Sequence, residues 1–380
     1  MKSLTATIIT KVYKNMSKHK LKVIDLFCGA GGLSLGFKQA GFDVILGIDA
    51  WEDAIITYKH NIGADVICED ITKLTPLDAL KEHNIDPKEI DVIIGGPPCQ
   101  GFSLSGKRLY DDPRNKLYKA FVEMVKAVRP AIFLMENVPG LVRLFDGKVH
   151  TEVIRDFSDL GYTVTDKILA AKNYGVPQDR RRVFFVGINR SKIHNIDQFI
   201  FPPETNTERK GNLLTCKDAI SDLDFLPVDK VLDDTQPYQL PPLNNYQTLM
   251  RSDSEACFNH SITLHTEKTR RIISMVPDGG NYKCLPEELW STRKVHIAWT
   301  RMNSSKPCFT IDCGHNHQFH YKENRVPTVR ESARIQSFPD TFIFLGKRTS
   351  QYRQVGNAVP PLLAQALATQ IKQILENENV

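Results

Sequence analysis

Short, nearly continuous apolar runs recur along the first half of the chain. They are Val23-Ile24-Asp25-Leu26-Phe27, Val44-Ile45-Leu46-Gly47-Ile48, Val66-Ile67-Cys68, Asp91-Val92-Ile93-Ile94 and Ala131-Ile132-Phe133-Leu134-Met135. Runs this short, rich in β-branched residues and bounded by turn residues, predict strands buried on both faces. Between them apolar residues recur at helical spacing. Leu33, Phe37 and Ala40 share one helical face before Gly41, and further helices are expected over Ala50–Asn61 and about Leu117–Val128. A helix around Val153–Leu160 then leads to two more strands, Val164–Ala170 and Val183–Ile188. Regular alternation of strand and helix predicts an α/β fold, a doubly wound and mostly parallel sheet.

From about Phe201 the pattern fades, and prolines, asparagines and threonines become frequent. A second, smaller and irregular domain is therefore expected over Asn189–Asn324. Regular structure returns with a helix over Thr328–Gln336, a Gly/Pro-bounded loop over Gln354–Pro361 and an amphipathic helix over about Leu362–Leu375. If that last helix packs on the first domain, the domain is discontinuous: an arm at 1–20, a main domain at 21–188, the insertion at 189–324 and a returning segment at 325–380.

Composition narrows the class. With 380 residues, 41% hydrophobic and 24% charged, the chain has room for one large core and a smaller one, as in an ordinary globular protein. The net charge of +5 is compatible with a nucleic-acid partner. Eight cysteines without regular spacing suggest free thiols in a reducing compartment, and hence a cytoplasmic location. No apolar stretch is long enough to span a bilayer, so no membrane is expected. The first twenty residues are rich in lysine and contain no acid, but lack the apolar core or arginines of a targeting peptide. They read as a disordered basic arm.

Candidate chemistry gathers where strands end. The stretch Gly95-Gly96-Pro97-Pro98-Cys99-Gln100-Gly101-Phe102-Ser103 follows the fourth strand, and its prolines must stop that strand. Cys99 thus sits on a stiff turn at the carboxyl edge of a core strand, where ligands bind in open α/β sheets, and is a candidate nucleophile. Cys28-Gly29-Ala30-Gly31-Gly32 follows the first strand, a glycine turn that lets a nucleotide-like ligand approach the backbone. Asp49 ends the second strand and suits ribose hydroxyls; Glu69-Asp70 ends the third. Glu136 holds on the fifth strand the place Cys99 holds on the fourth. Gln178-Asp179-Arg180-Arg181-Arg182 leads into the seventh strand, and the polar stretch Leu104–Asn115 reads as a mobile loop. In the insertion, basic clusters with nearby aromatics suit a phosphate-contacting face. Cys308, Cys313, His315, His317 and His320 lack zinc-knuckle spacing, and Cys308–Asp312 alternates like a strand, so no metal is expected.

Together these motifs resemble those of the DNA (cytosine-5)-methyltransferases of bacterial restriction–modification systems. The matching stretches are Asp25–Gly32, Gly96–Ser103, Glu136-Asn137-Val138, Gln178–Arg182, Arg330–Asp340 and Gln354–Val359, in the family's order. The resemblance implies a Rossmann-like S-adenosylmethionine-dependent methyltransferase fold with a target-recognition domain in the insertion. It implies that Cys99 attacks carbon 6 of a flipped cytosine, under closure of Leu104–Asn115, so that carbon 5 accepts the methyl group. Glu136 would hold nitrogen 3 and the amino group, with Arg182 and Arg180 on the base carbonyl or its phosphate. Phe27, Gly29, Ala30, Gly32, Asp49, Asp70, Pro98, Leu117, Asn357 and Ala358 would form the S-adenosylmethionine pocket. A bulky hydrophobic or aromatic residue often follows the ribose acid in this family; here Ala50 does, and Trp51 comes one place later. DNA contacts are expected from Gln100, Ser103, Ser105, Arg270, Arg271, Arg293, Lys294 and Arg301. The family's habits imply duplex DNA and a cognate restriction endonuclease as partners, and a monomer.

Rival readings fit fewer residues. A tRNA-type cytosine-5 methyltransferase shares the Pro-Pro-Cys-Gln core but not the Gly101-Phe102-Ser103 continuation, nor so long an insertion. An amino-group methyltransferase requires Asp or Asn before the two prolines and an aromatic residue after them. A silent DNA-binding protein has no need of Cys99, Glu136 and Arg182 together. A nicotinamide oxidoreductase matches only the first glycine turn.

Overall fold

The computed structural model describes residues 20–98, 116–227, 229–292, 299–311, 313 and 318–378. Its centre is a seven-stranded sheet in the order β3-β2-β1-β4-β5-β7-β6. In chain order the main body runs β1 (Lys22–Leu26), α1 (Gly32–Gln39), β2 (Asp43–Asp49), α2 (Glu52–Ile62), β3 (Asp65–Cys68), α3 (Pro76–Glu82), β4 (Ile90–Gly95) and α4 (Lys116–Val128). It continues with β5 (Ile132–Asn137), α5 (Lys148–Asp159), β6 (Tyr162–Ala170) and β7 (Arg181–Asn189). β1 through β5 pair in parallel, whereas β7 runs antiparallel to both β5 and β6. The strand order reverses beside β1 and β4, and a crevice at the carboxyl ends is the geometric result.

Strand alternation sends side chains to two cores. Ile24, Leu26, Ile93 and Phe133 pack with Phe121 and Val125 of α4 and Val153 and Phe157 of α5. Val23, Val92, Ile94 and Leu134 face α1 and α2 through Leu33, Phe37, Ile55 and Tyr58. That second face also receives the end of the chain. α6 (Cys216–Ile220), α7 (Asn245–Arg251), α8 (Glu267–Ser274), α9 (Val329–Ile335), α10 (Arg348–Asn357) and α11 (Pro361–Glu378) follow β7. α11 lies along α1, with Leu363, Leu367 and Ile371 fully buried in the same core. Burying a side chain of this kind stabilises by roughly 1.5–3 kcal/mol, which is ample to hold a sequence-distant helix on the sheet.

Two features differ from the sequence expectation. Gln354–Asn357 is not a loop: it forms the last turn of α10, and the chain leaves the helix only at Ala358. Gly356 makes this a poor helix by propensity, yet Tyr352, Gln354, Val355 and Gly356 are buried, and packing prevails. The insertion, moreover, divides by packing. Cys216, Ala219, Ile220, Leu223, Tyr246, Met250 and Cys257 join the core of the main body. Ile272, Ile273, Val276, Leu285, Trp299, Phe319 and Val326 form a small separate core, beside a short parallel pairing of β8 (Thr300–Arg301) with β9 (Gln318–Phe319). Buried ion pairs close the junction: Arg325 with Glu331 at 2.6 Å, and Arg334 with Asp340 at 2.5 Å and Asp222 at 3.1 Å.

Candidate active site

The carboxyl ends of β1, β2, β4 and β5 open into one cavity of about 850 Å³. Phe27, Gly29, Ala30, Gly32, Asp49, Asp70, Pro98, Leu117, Glu136, Arg180, Arg182, Asn357 and Ala358 all line it, so residues as far apart in sequence as Phe27 and Ala358 converge there. Cys99, Gln100, Ser103, Ser105, Arg293 and Lys294, and the stretch Leu104–Asn115, lie outside the described residues.

At one end the glycine turn meets two acids. Asp49 accepts hydrogen bonds from the backbone N–H of Gly29 and of Trp51, both at 2.8 Å, so it ties the turn after β1 to the end of β2. Burial raises its pKa, opposed by those N–H groups and by Arg353. Asp70 accepts from the backbone N–H and hydroxyl of Thr72 through Oδ1, at 3.0 and 2.8 Å, and its pKa is lowered by those bonds. Gly32 is where the returning segment closes the cavity: a Cβ there would stand 2.4 Å from the Val359 carbonyl oxygen. Both Ala50 and Trp51 line the cavity, and the Arg353 guanidinium stacks over the Trp51 ring at 4.6 Å. Glycine backbone, paired acids and an aromatic wall suit a nucleoside carrying a cationic tail, which the residues present fit.

The other end is polar and more enclosed. Glu136 is the penultimate residue of β5, and Arg182 reaches it from the start of β7, with Nε 2.9 Å from Oε1. Burial pushes the Glu136 carboxyl up, against the pull of Arg182 and Arg180. Asn137 donates to the Pro97 carbonyl oxygen at 2.9 Å and so fixes the double-proline turn against β5. The turn passes close: a Cβ on Gly96 would stand 2.8 Å from Glu136 Oε2. Arg180 is buried, its two terminal nitrogens directed at the carbonyl oxygens of Ile311 and Asn357, each at 3.4 Å. Burial, with Arg182 nearby, lowers its pKa to about 9.

Thr310, Ile311 and Cys313 also line the cavity; the sequence drew notice to this stretch only for its cysteines and alternation, and nothing in it pointed to this site. Backbone pairing across more than a hundred residues brings them in: Asp179 N–H donates to Cys308 O at 2.8 Å, and Cys308 N–H to Pro177 O at 2.9 Å. Asp25 and Arg353 were missed too. Asp25 carried a signal, an acid inside an otherwise apolar strand.

The residues expected to contact DNA fare differently. Arg271 is exposed and Arg270 half-buried on α8, away from the cavity lining. Arg301 does not face solvent. It is 4% exposed, and its guanidinium donates to the carbonyl oxygens of Ile273, Val276, His320, Lys322 and Glu323 and to Asn324 Oδ1 at 2.7–3.2 Å. Its donors are consumed in knitting the small core together, which leaves none for a phosphate or a base.

Comparison with known proteins agrees with this geometry. The model of the C-5 cytosine-specific DNA methylase family matches residues 21–373. The chain is 42% identical to the Type II methyltransferase M.DdeI of Desulfomicrobium norvegicum, over 95% of this chain and 90% of that protein. It is 39% identical to M1.HphI of Haemophilus parahaemolyticus, over 94% and 88%. Among solved structures, a candidate DNA modification methyltransferase encoded in an E. coli prophage superposes with a TM-score of 0.77 at 30% identity, covering 94% of this chain and all of that one. The Dnmt2 methyltransferase of S. pombe, at 18% identity and a TM-score of 0.57, shares the fold. The double-proline turn, the strand-end acids and a match that spans nearly the whole chain lead to one conclusion: this protein belongs to the C-5 cytosine-specific DNA methylases.

Proposed function

We propose that this enzyme is a Type II modification methyltransferase that methylates carbon 5 of one cytosine within a specific short duplex sequence. Bound at the glycine-turn end, S-adenosylmethionine supplies the electrophilic methyl group. Phe27, Gly29, Ala30 and Gly32 enclose it, Asp49 takes the ribose hydroxyls and Asp70 the adenine amino group, with Pro98, Leu117, Asn357 and Ala358 completing the walls. Cys99 adds to carbon 6 of the base, which turns carbon 5 into a nucleophile. Glu136 holds nitrogen 3 and the amino group, and Arg182 steadies both Glu136 and the base carbonyl. Once carbon 5 is methylated, its proton leaves to a base and the thiolate is eliminated. The target must leave the duplex for these contacts to form. Arg180 supports the site from beneath, and the insertion carries sequence choice. The enzyme acts in the cytoplasm and protects its host's DNA from a cognate restriction endonuclease.

The observation that supports this reading best is the half-buried Glu136–Arg182 pair, which shares one cavity with the glycine turn and Asp49 and abuts the double-proline turn that leads into Cys99. Cys99→Ser tests it. The variant should bind cofactor but transfer no methyl group, because an alcohol is a far weaker nucleophile than a thiolate near neutral pH. A duplex carrying 5-fluorocytosine should trap the wild type covalently. Trapping of Cys99→Ala at wild-type yield would overturn the assignment.

A further inference from the structure

One buried carboxyl has no part in the roles above. Asp25 is 1% exposed on β1 and lines the cavity. Its Oδ2 accepts a hydrogen bond from the Ser34 hydroxyl at 2.6 Å, and that hydroxyl meets the Tyr58 hydroxyl at 2.8 Å. The charged group acting on it is another acid, Asp49 of β2, and among the described residues no cation acts on Asp25 itself. From α2 it faces Tyr58 and from its own turn Cys28, while α1 offers the Ser34 hydroxyl and β4 presents apolar Ile94 beside it. Arg353 of α10 acts on Asp49. Asp25 and Asp49 therefore lie together at the glycine-turn end, and among the described residues Asp25 has no counter-charge.

We propose that Asp25 is neutral in the empty cavity and ionises when the cationic methionine end of the cofactor enters, so that binding releases a proton from this carboxyl. The inference rests on the cofactor reading given above. Burial pushes the Asp25 carboxyl up to about 8, against the Ser34 hydrogen bond and with help from Asp49. Asp49 differs, because backbone N–H groups at Trp51, Gly29 and Ala50 already favour its ionised form. A cation brought into a low-dielectric space favours the charged form of a neighbouring acid. Affinity for the methyl donor should then rise with pH, by up to about tenfold per unit, until Asp25 is ionised without help. Two positive groups can drive this, the sulfonium and the ammonium. S-adenosylhomocysteine keeps the ammonium and loses the sulfonium charge, which separates them.

Calorimetry of cofactor binding to the full chain, near neutral pH in buffers of different ionisation enthalpy, counts the protons. The wild type should release close to about one proton per S-adenosylmethionine bound. Asp25→Asn should bind with that release largely gone. Ser34→Ala removes a hydrogen bond to the ionised form and should move the fading of release to higher pH. Release with S-adenosylmethionine alone assigns the effect to the sulfonium, and release with both ligands to the ammonium. Binding without proton release in the wild type, or undiminished release in Asp25→Asn, overturns the inference and leaves the cofactor reading intact. Failure of the folded wild type to bind S-adenosylmethionine at all overturns both.

Discussion

Arg301→Met separates a structural arginine from a DNA contact. Methionine keeps the apolar stem and removes a guanidinium that donates to five backbone carbonyl oxygens and to Asn324 Oδ1. Three of those acceptors share one nitrogen, so the contacts do not add as independent bonds. Hydrogen bonds from a charged donor contribute roughly 1.5–3 kcal/mol each, and breaking a buried charged group out of its network costs about 3–5 kcal/mol. The loss should fall on the small core around Ile273, Trp299 and Phe319. That core has few members, so a penalty of this size should open segments 264–292 and 318–326 locally while the seven-stranded sheet, and the Cys308–Ile311 stretch packed on it, stay folded. Hydrogen exchange followed by peptide would show protection lost from 264–292 and 318–326 and retained in β1–β5. Calorimetry would show cofactor affinity unchanged, because Asp49 and the glycine turn belong to the other core. Sequence-specific DNA binding should disappear at every salt concentration. The reasoning fails if the variant keeps full protection and loses only about one unit of salt slope, the mark of a single phosphate contact.

Asp49→Ala should weaken S-adenosylmethionine binding by about 1–3 kcal/mol, the cost of a lost charged hydrogen-bond partner, and unchanged affinity in a folded variant would count against the assignment. A second test concerns acid. Glu331 and Asp340 are held below their ordinary pKa values of 4.5 and 3.8, against the cost of burial, by Arg325 with His320 and by Arg334 with Arg330. A depressed folded pKa gives stability that is full above the unfolded value and is lost progressively as pH falls from there through the folded value. The urea midpoint of the wild type should therefore drop on acidification below about pH 4.5, and Glu331→Gln should start lower and drop less. Parallel curves would refute the role of the pair.

The strands were legible because each is a compact apolar run, and every one of the seven expected in the main sheet is present within a residue or two of its predicted ends. Several short helices were not: α3, α6, α7 and α8 have too few turns for periodicity to stand out. The candidate site was legible in proportion to how locally it is made. Asp49, Glu136 and the glycine turn each lie next to the strand that presents them. Thr310, Ile311 and Cys313 reach the cavity only because Pro177–Asp179 pairs with Cys308, and no feature near them announces it.

By itself, then, the sequence determined the alternation that makes the sheet, the stiff turns at its carboxyl edge and the acids placed there, since these follow from side-chain period and backbone constraint within one strand-turn unit. What an arginine does was decided elsewhere. Arg182, Arg180 and Arg301 look alike along the chain, yet one pairs with Glu136 at the cavity, one lies buried beneath it and one binds the small core. The guanidinium takes whatever carbonyl or carboxylate oxygens the fold brings within reach, and burial makes an unsatisfied donor costly, so long-range packing sets its partner. The same packing turned Gln354–Asn357 into helix and drew the start of the insertion into the main core. Both outcomes depend on surfaces contributed by distant segments, and those surfaces exist only once the chain has folded.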